Sequence, residues 1–193
     1  YSGSSYRVLQ TLELPGKHLI WALCALGLDG LGQELAQLAY SRALDGVLDF
    51  RGCFLLRNYY AGVGWLALLP ERVFLWLLRL RRALYPRTFI LAQFVDNHDM
   101  DRIAYTLRTA PARVTNALRA IGSSPDPMFV YYGTELGLSQ TASRTTIGDT
   151  AMRQPMPWSL AARAAELPSY KLLHGIWLDR LSQSPRPSLP IEE

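Results

Sequence analysis

Cysteine is scarce in this chain: Cys24 and Cys53 are the two present among 193 residues, and their separation matches no metal spacing. A disulfide scaffold needs more cysteines and a zinc site needs them in close pairs, so neither organises the protein. A buried, reduced pair is the expected state. A basic run is also missing. The net charge of +4 and the pI near 9.2 come almost wholly from arginines spread along the sequence. With no aromatics interleaved in a cationic stretch, nucleic acid is not an expected partner. Long apolar runs are absent too. HLIWALCALGL (18–28) is about half of the roughly 20 residues that a helical span requires. Pro70, Glu71 and Arg72 interrupt WLALLPERVFLWLLRL (65–80), so no membrane partner is expected. The chain starts at Tyr1 with no basic-then-apolar leader. A signal peptide is therefore expected to be absent or already removed, and the compartment stays open. No glycine-rich loop follows an apolar run where it would cradle phosphate, which counts against nucleotide binding.

What is present is a globular composition, 49% hydrophobic and 19% charged. The length suits one ordinary domain or part of a larger one. Strand-like apolar runs alternate with helix-period segments. VLQTLEL (8–14) reads as a short strand. In GLGQELAQLAYSRAL (30–44), Leu31, Leu35 and Leu38 share one helical face, with Gln33 and Gln37 elsewhere on the wheel. DGVLDF (45–50) reads as a strand. ERVFLWLLRLRRAL (71–84) puts Val73, Leu77, Leu80 and Leu84 on one face and Arg72, Arg79 and Arg82 on another, between Pro70 and Pro86. TFILAQFV (88–95) has the unbroken apolarity of a strand buried on both faces. PARVTNALRAIG (111–122) is a third helix, PMFVYYG (127–133) a further strand, and Leu173, Ile176, Trp177 and Leu181 mark a last helix. This alternation predicts βα units and a parallel sheet, either doubly wound or part of a (β/α)8 barrel. A whole barrel takes about 250 residues, so only three or four units fit.

Phe94–Arg102, FVDNHDMDR, packs Asp96, Asn97, His98, Asp99, Asp101 and Arg102 against the end of an apolar run. Reactive groups gather at strand ends in parallel α/β folds. The spacing alone leaves four readings open. These are turn chemistry, a simple solvated loop, a polar site suited to sugar hydroxyls, and a metal held by His98 with a carboxylate, although no second histidine sits at ligand spacing.

FVDNHD closely resembles the fourth signature region of the α-amylase family, glycoside hydrolase family 13, at the end of barrel strand 7. LDGVLDF (44–50) is similar to that family's strand 6, and MFVYYGTELGL (128–138) to its strand 8. RQPMPW (153–158) resembles the loop that follows, and SYKLLHGIWLDRLSQSPRPSL (169–189) the last barrel helix and the turn leaving it. The resemblance implies an α/β fold, part of a (β/α)8 TIM barrel (strands 5/6 to 8) that is incomplete at its N-terminal side. On that basis residues 44–189 are expected to form the C-terminal half of a catalytic barrel, after an uncertain segment 1–43 and before a short tail 190–193.

The resemblance also implies roles. Asp99 stands where the family places its transition-state-stabilising aspartate, and His98 where it places a histidine that binds hydroxyls of the sugar being cleaved. Asn97 would support them, and Arg102 would contact substrate or a neighbouring carboxylate. Glu135 reads as a structural carboxylate, and at least one of Tyr131 and Tyr132 as core. The implied chemistry is retaining hydrolysis or transfer at α-glucosidic bonds of an α-glucan or maltooligosaccharide, with no cofactor or metal required. It needs a nucleophile and an acid/base carboxylate about 5 Å apart. No Arg-x-Asp pattern and no family-type Asn-His pair precede residue 44. Glu13, in TLELPGKHL, departs from the family's Gly-Glu pattern and is the one acid candidate upstream. The chain alone is therefore expected to be inactive. The alternative is a non-catalytic amylase-like protein kept for binding or assembly, whose open strand edges would pair with a second copy or a complementary half-barrel.

Overall fold

The computed structural model describes residues 29–183, which divide into two compact units. One runs up to Val95 and takes in Ser124–Phe129; the other comprises Asp96–Ser123 and the chain from Val130 onward. The expected strand at 8–14, Glu13 and Cys24 lie outside the described residues.

The first unit contains α1 (Asp29–Tyr40), β1 (Gly46–Leu48), α2 (Phe50–Ala61), α3 (Glu71–Ala83) and β2 (Ile90–Ala92). β1 and β2 pair in parallel, Gly46 opposite Ile90 and Leu48 opposite Ala92. The chain between them forms two α-helices and a short 3-10 helix at Trp65–Leu68, of which the apolar period predicts α3 alone. α2 was hidden because Arg51, Gly52 and Arg57 interrupt its apolar pattern, yet Cys53, Leu56 and Tyr60 fall at helical spacing and are buried. It starts where the Asp49 carboxylate accepts the Gly52 N–H at 2.9 Å, a side-chain cap on an otherwise orphaned donor. It ends at Gly62, whose φ of 78° lies in the left-handed region that suits glycine. Cys53 is buried, 1% exposed.

In neither α1 nor α3 do the leucines alone mark the inward face, although Leu38 of α1 packs against the cluster of Tyr85, Phe89 and Leu91. In α1, Leu31 is half exposed while Gln37 is buried at 7%. In α3, Phe74 is buried while Leu80 and Leu84 are exposed. The reason is a polar network. Asp49, 1% exposed, accepts from Arg81 Nη1 and Nη2 at 2.7 Å each, from Gln37 Nε2 at 2.8 Å and from Gln93 Nε2 at 3.0 Å. Glu34 takes Arg81 Nε at 2.7 Å and the Tyr85 hydroxyl at 2.6 Å. An arginine fork filled by two carboxylates sets the rotation of α1 and α3 more firmly than a leucine stripe, because a bidentate charged bond tolerates one geometry.

The sheet is narrower than expected. β2 ladders over three residues only, and Ile90 is 43% exposed. Asp126 explains part of this. Its carboxylate accepts the Leu91 N–H at 3.2 Å and is itself held by Arg82 Nε at 2.6 Å. A side chain thus takes a donor that a neighbouring strand would use. The strand expected at 127–133 shrinks to a parallel bridge between Gln93 and Met128, and Phe129 is exposed.

The second unit contains α4 (Ile103–Thr106), α5 (Pro111–Gly122), α6 (Arg144–Ile147), α7 (Trp158–Ala161) and α8 (Pro168–Gln183). α5 has the bounds read from its proline start and glycine end, and it buries Val114, Ala117, Leu118 and Ile121. α8 packs on it so closely that a Cβ at Gly122 would run into Ile176. Arg180 also donates to the Gly122 carbonyl at 3.2 Å. Of the residues that mark α8 in the sequence, Leu173 is buried, whereas Trp177 and Leu181 are about half exposed.

Burial by itself raises the Asp49 carboxyl pKa, but hydrogen bonds and charge from Arg81, with help from Gln37 and Gly52, outweigh it and hold the group below its ordinary value. A depressed folded-state value means that the ionised carboxylate stabilises above the ordinary range, and that this contribution is lost as pH falls through the folded value. Arg81→Ala, which strands a buried charge, is expected to cost about 3–5 kcal/mol at neutral pH. Urea midpoints should show the deficit shrinking in acid, where protonated Asp49 no longer needs a cation.

Candidate functional site

Asp96 opens the polar run but is turned inward, 2% exposed. Its carboxylate accepts the Ile103 N–H and the Thr134 hydroxyl, both at 2.8 Å, tying the start of α4 to the YYGTELGL segment. Asn97 forms a local turn, its Oδ1 accepting the Asp99 N–H at 2.8 Å. That turn presents the next two side chains outward. His98 and Asp99 are 58% and 47% exposed along their side chains, with Nε2 and Oδ2 3.2 Å apart. Turn chemistry and an accessible polar pair are therefore the same feature: the amide makes the turn, and the imidazole and carboxylate stand on it.

Arg153 completes the group, and the sequence reading did not assign it a role. Its Nη2 approaches Asp99 Oδ1 at 3.4 Å and Asp149 Oδ2 at 3.2 Å, while Nε donates to the His98 carbonyl at 3.4 Å. Asp149 is also held by Arg144 Nε at 2.9 Å. That bond above all, with the charges of Arg144, Arg153 and His98, keeps the Asp149 carboxyl below its ordinary range. The available signal was position: Arg153 opens RQPMPW, a segment already singled out by its resemblance. These long, exposed ion pairs orient the groups more than they stabilise the fold.

Arg102 lies elsewhere. It is 0% exposed, so in this conformation it meets the protein interior rather than a ligand. Nη1 donates to the Tyr132 carbonyl at 2.6 Å and Nη2 to the Met152 carbonyl at 2.8 Å. The guanidinium lies 4.7 and 4.8 Å from the ring centroids of Tyr131 and Tyr132, within cation–π range. Its backbone N–H donates to buried Gln140. The two tyrosines thus pack on an internal cation, and Tyr132 remains partly open. Glu135 Oε2 is enclosed and has no hydrogen-bond partner among the described residues. Among the described residues no three His, Cys, Asp or Glu side chains gather as metal ligands, and no helix is long and apolar enough to cross a membrane.

No family profile and no curated protein matches the chain. Solved structures do. A cyclic α-maltosyl-(1→6)-maltose hydrolase from Arthrobacter globiformis, in ligand-free form, is similar over 72% of this chain and 29% of its own, at 21% identity and a TM-score of 0.55. An α-amylase from H. orenii covers 60% of this chain and 23% of its own, at 22% identity and TM-score 0.47. An α-amylase from Geobacillus thermoleovorans, complexed with acarbose, covers 70% and 30%, at 17% identity and TM-score 0.48. The chain spans less than a third of the length of these enzymes. At such identities the first likeness is one of fold: a helix-rich α/β segment, consistent with part of a barrel of the amylase type.

Lysine cannot reproduce the two-carbonyl fork of Arg102. Arg102→Lys is expected to lose at least one charged hydrogen bond, about 1.5–3 kcal/mol, read as a lower chemical-denaturation midpoint.

Proposed function

We propose that this chain is a fragment of an α-glucan-acting glycoside hydrolase or transglycosidase of the retaining type, carrying the substrate-binding and transition-state-stabilising side of the site. The observation that carries this reading is the accessible His98–Asp99 pair, raised on the Asn97 turn and bracketed by Arg153. An ionised carboxylate held there would stabilise the positive charge that grows on a sugar ring as its glycosidic bond breaks. The imidazole beside it would exchange hydrogen bonds with ring hydroxyls, which both donate and accept. Asn97 serves that pair by setting the turn. Arg102, inside the unit, would act on substrate only through the residues it holds. The fold likeness to a maltosyl-maltose hydrolase supports the choice of α-glucosidic ligands.

Bond cleavage asks for two more carboxylates about 5 Å apart, and the Arg-x-Asp pattern of the nucleophile is not found before residue 44. Binding without turnover is therefore the expected behaviour of these 193 residues. Calorimetry should detect maltoheptaose, His98→Ala should weaken its binding about tenfold, and reducing-sugar release from starch should stay at background. Robust release by the purified chain would overturn the proposed division of the site.

A second reading is assembly. In the first unit Leu48 and Ile90, on the paired strands, are 41% and 43% exposed, and a short parallel sheet with open apolar positions favours pairing with another chain. Sedimentation velocity at rising concentration is expected to show a dimer, or a complex with a complementary half-barrel. A monomer at every concentration would remove this reading.

A further inference from the structure

The second unit also holds a hollow whose lining does not include His98 or Asp99. Its volume is about 620 Å³, within the usual range of about 300–1,000 Å³ for small-molecule sites. Asp101 and Gln140 form a fixed part of its wall. The Asp101 carboxylate accepts from Gln140 Nε2 at 2.6 Å, the Arg144 N–H at 2.7 Å and the Ser143 hydroxyl at 3.3 Å. Gln140, 7% exposed, is further fixed by the Arg102 N–H at 2.7 Å and the Ala142 carbonyl at 2.8 Å. Three other lining side chains, Tyr105, Arg108 and Ser139, make no side-chain hydrogen bond among the described residues. A rigid polar wall thus faces a ring, a guanidinium and two hydroxyls with bonding capacity to spare.

The rim is strained as well. Arg108 and Thr109 have φ of 56° and 51°, two successive side-chain-bearing residues in the left-handed region. Both positions are strained there, and for β-branched Thr109 the conformation is an outlier. Glycine would make this turn from α4 to Pro111 without strain. Backbone bonds hold it: Arg108 N–H to the Tyr105 carbonyl at 3.0 Å and Thr109 N–H to the Ala104 carbonyl at 2.6 Å. The strained turn brings the Arg108 side chain into the lining of the hollow.

The lining carries one carboxylate and one guanidinium, so it balances in charge. An anion site would gather cations, and a cation site would leave its carboxylate uncommitted. Balanced charge, free hydroxyls and an aromatic ring suit a neutral polyhydroxylated ligand instead. We propose that this hollow is a second saccharide-binding site, which takes its sugar independently of the His98–Asp99 pair; the choice of an α-glucan rests on the proposed function above.

The test is calorimetric titration of the 193-residue chain with maltoheptaose, comparing wild type, His98→Ala and Arg108→Gly. Arg108→Gly removes the guanidinium and the strain together, so its unfolding midpoint should equal or exceed that of wild type. Two sites are expected in the wild type, with one weakened at least tenfold in each variant. Tyr105→Ala or Ser139→Ala makes the same comparison if Arg108→Gly misfolds. Binding by the folded hollow variants that superimposes on wild type overturns the second site and leaves the His98–Asp99 site standing. Loss in the hollow variants with no change in His98→Ala sustains the hollow and removes the first site. No binding of maltoheptaose by wild type overturns both.

Discussion

A guanidinium sealed from water governs the second unit. Enclosing a cation costs several kcal/mol unless its charge is met, and among the described residues no carboxylate pairs with Arg102. Two carbonyls and two tyrosine rings meet it instead, with Nε left unpartnered. Those carbonyls belong to Tyr132 and Met152, which lie far apart in sequence, so one side chain fixes the distance between the YYGTELGL segment and the RQPMPW segment. Arg153 follows Met152 directly. Its bracket on Asp99 and His98 is therefore set at one end by the buried cation, while Asp96 anchors the other end through Ile103 and Thr134. Exposed ion pairs at 3.2–3.4 Å would hold little by themselves. They gain direction from the buried bonds beneath them.

The first unit solves the reverse problem. Asp49 is a buried anion, and Arg81 answers it with a two-pronged bond that also reaches Glu34. In both units a charged side chain, rather than a stripe of leucines, sets how the segments meet. Such an arrangement is a poor source of net stability compared with apolar packing, but it tolerates few alternative registers.

That is also why the sequence was legible in some places and not in others. α5 came out with its bounds intact because proline, glycine and an apolar period of 3.6 all agree over Pro111–Gly122. The inward faces of α1 and α3 were legible only in part, through Leu38, because amphipathicity assumes that charge points to water, and Glu34, Gln37 and Arg81 do not. α2 was missed for a related reason: its buried face includes Arg57, which donates to the Val95 carbonyl at 2.7 Å. The strand expected at 127–133 failed on a contact invisible to periodicity, the Asp126 carboxylate occupying the Leu91 N–H. At the candidate site, His98 and Asp99 were legible as a motif, and Asn97 as turn chemistry. Arg153 was not, because its part depends on a fold-back of 54 residues.

The two surface features of the second unit differ in how they are held, and the difference bears on what each can do. His98 and Asp99 sit on an unstrained turn whose amide cap is satisfied within three residues. Arg108 and Thr109 sit on a strained one, which persists only because Leu107, fully buried, and the start of α5 fix both ends. Strain of this kind is not needed to connect α4 to α5, since glycine at either position would do so at lower energy. A stretch that keeps an arginine where glycine folds better trades stability for a placed side chain. Asp101 and Gln140 link the two features: both line the hollow, and Gln140 accepts the backbone N–H of Arg102, so the residue whose guanidinium sets the bracket on Asp99 braces the wall of the hollow through its main chain.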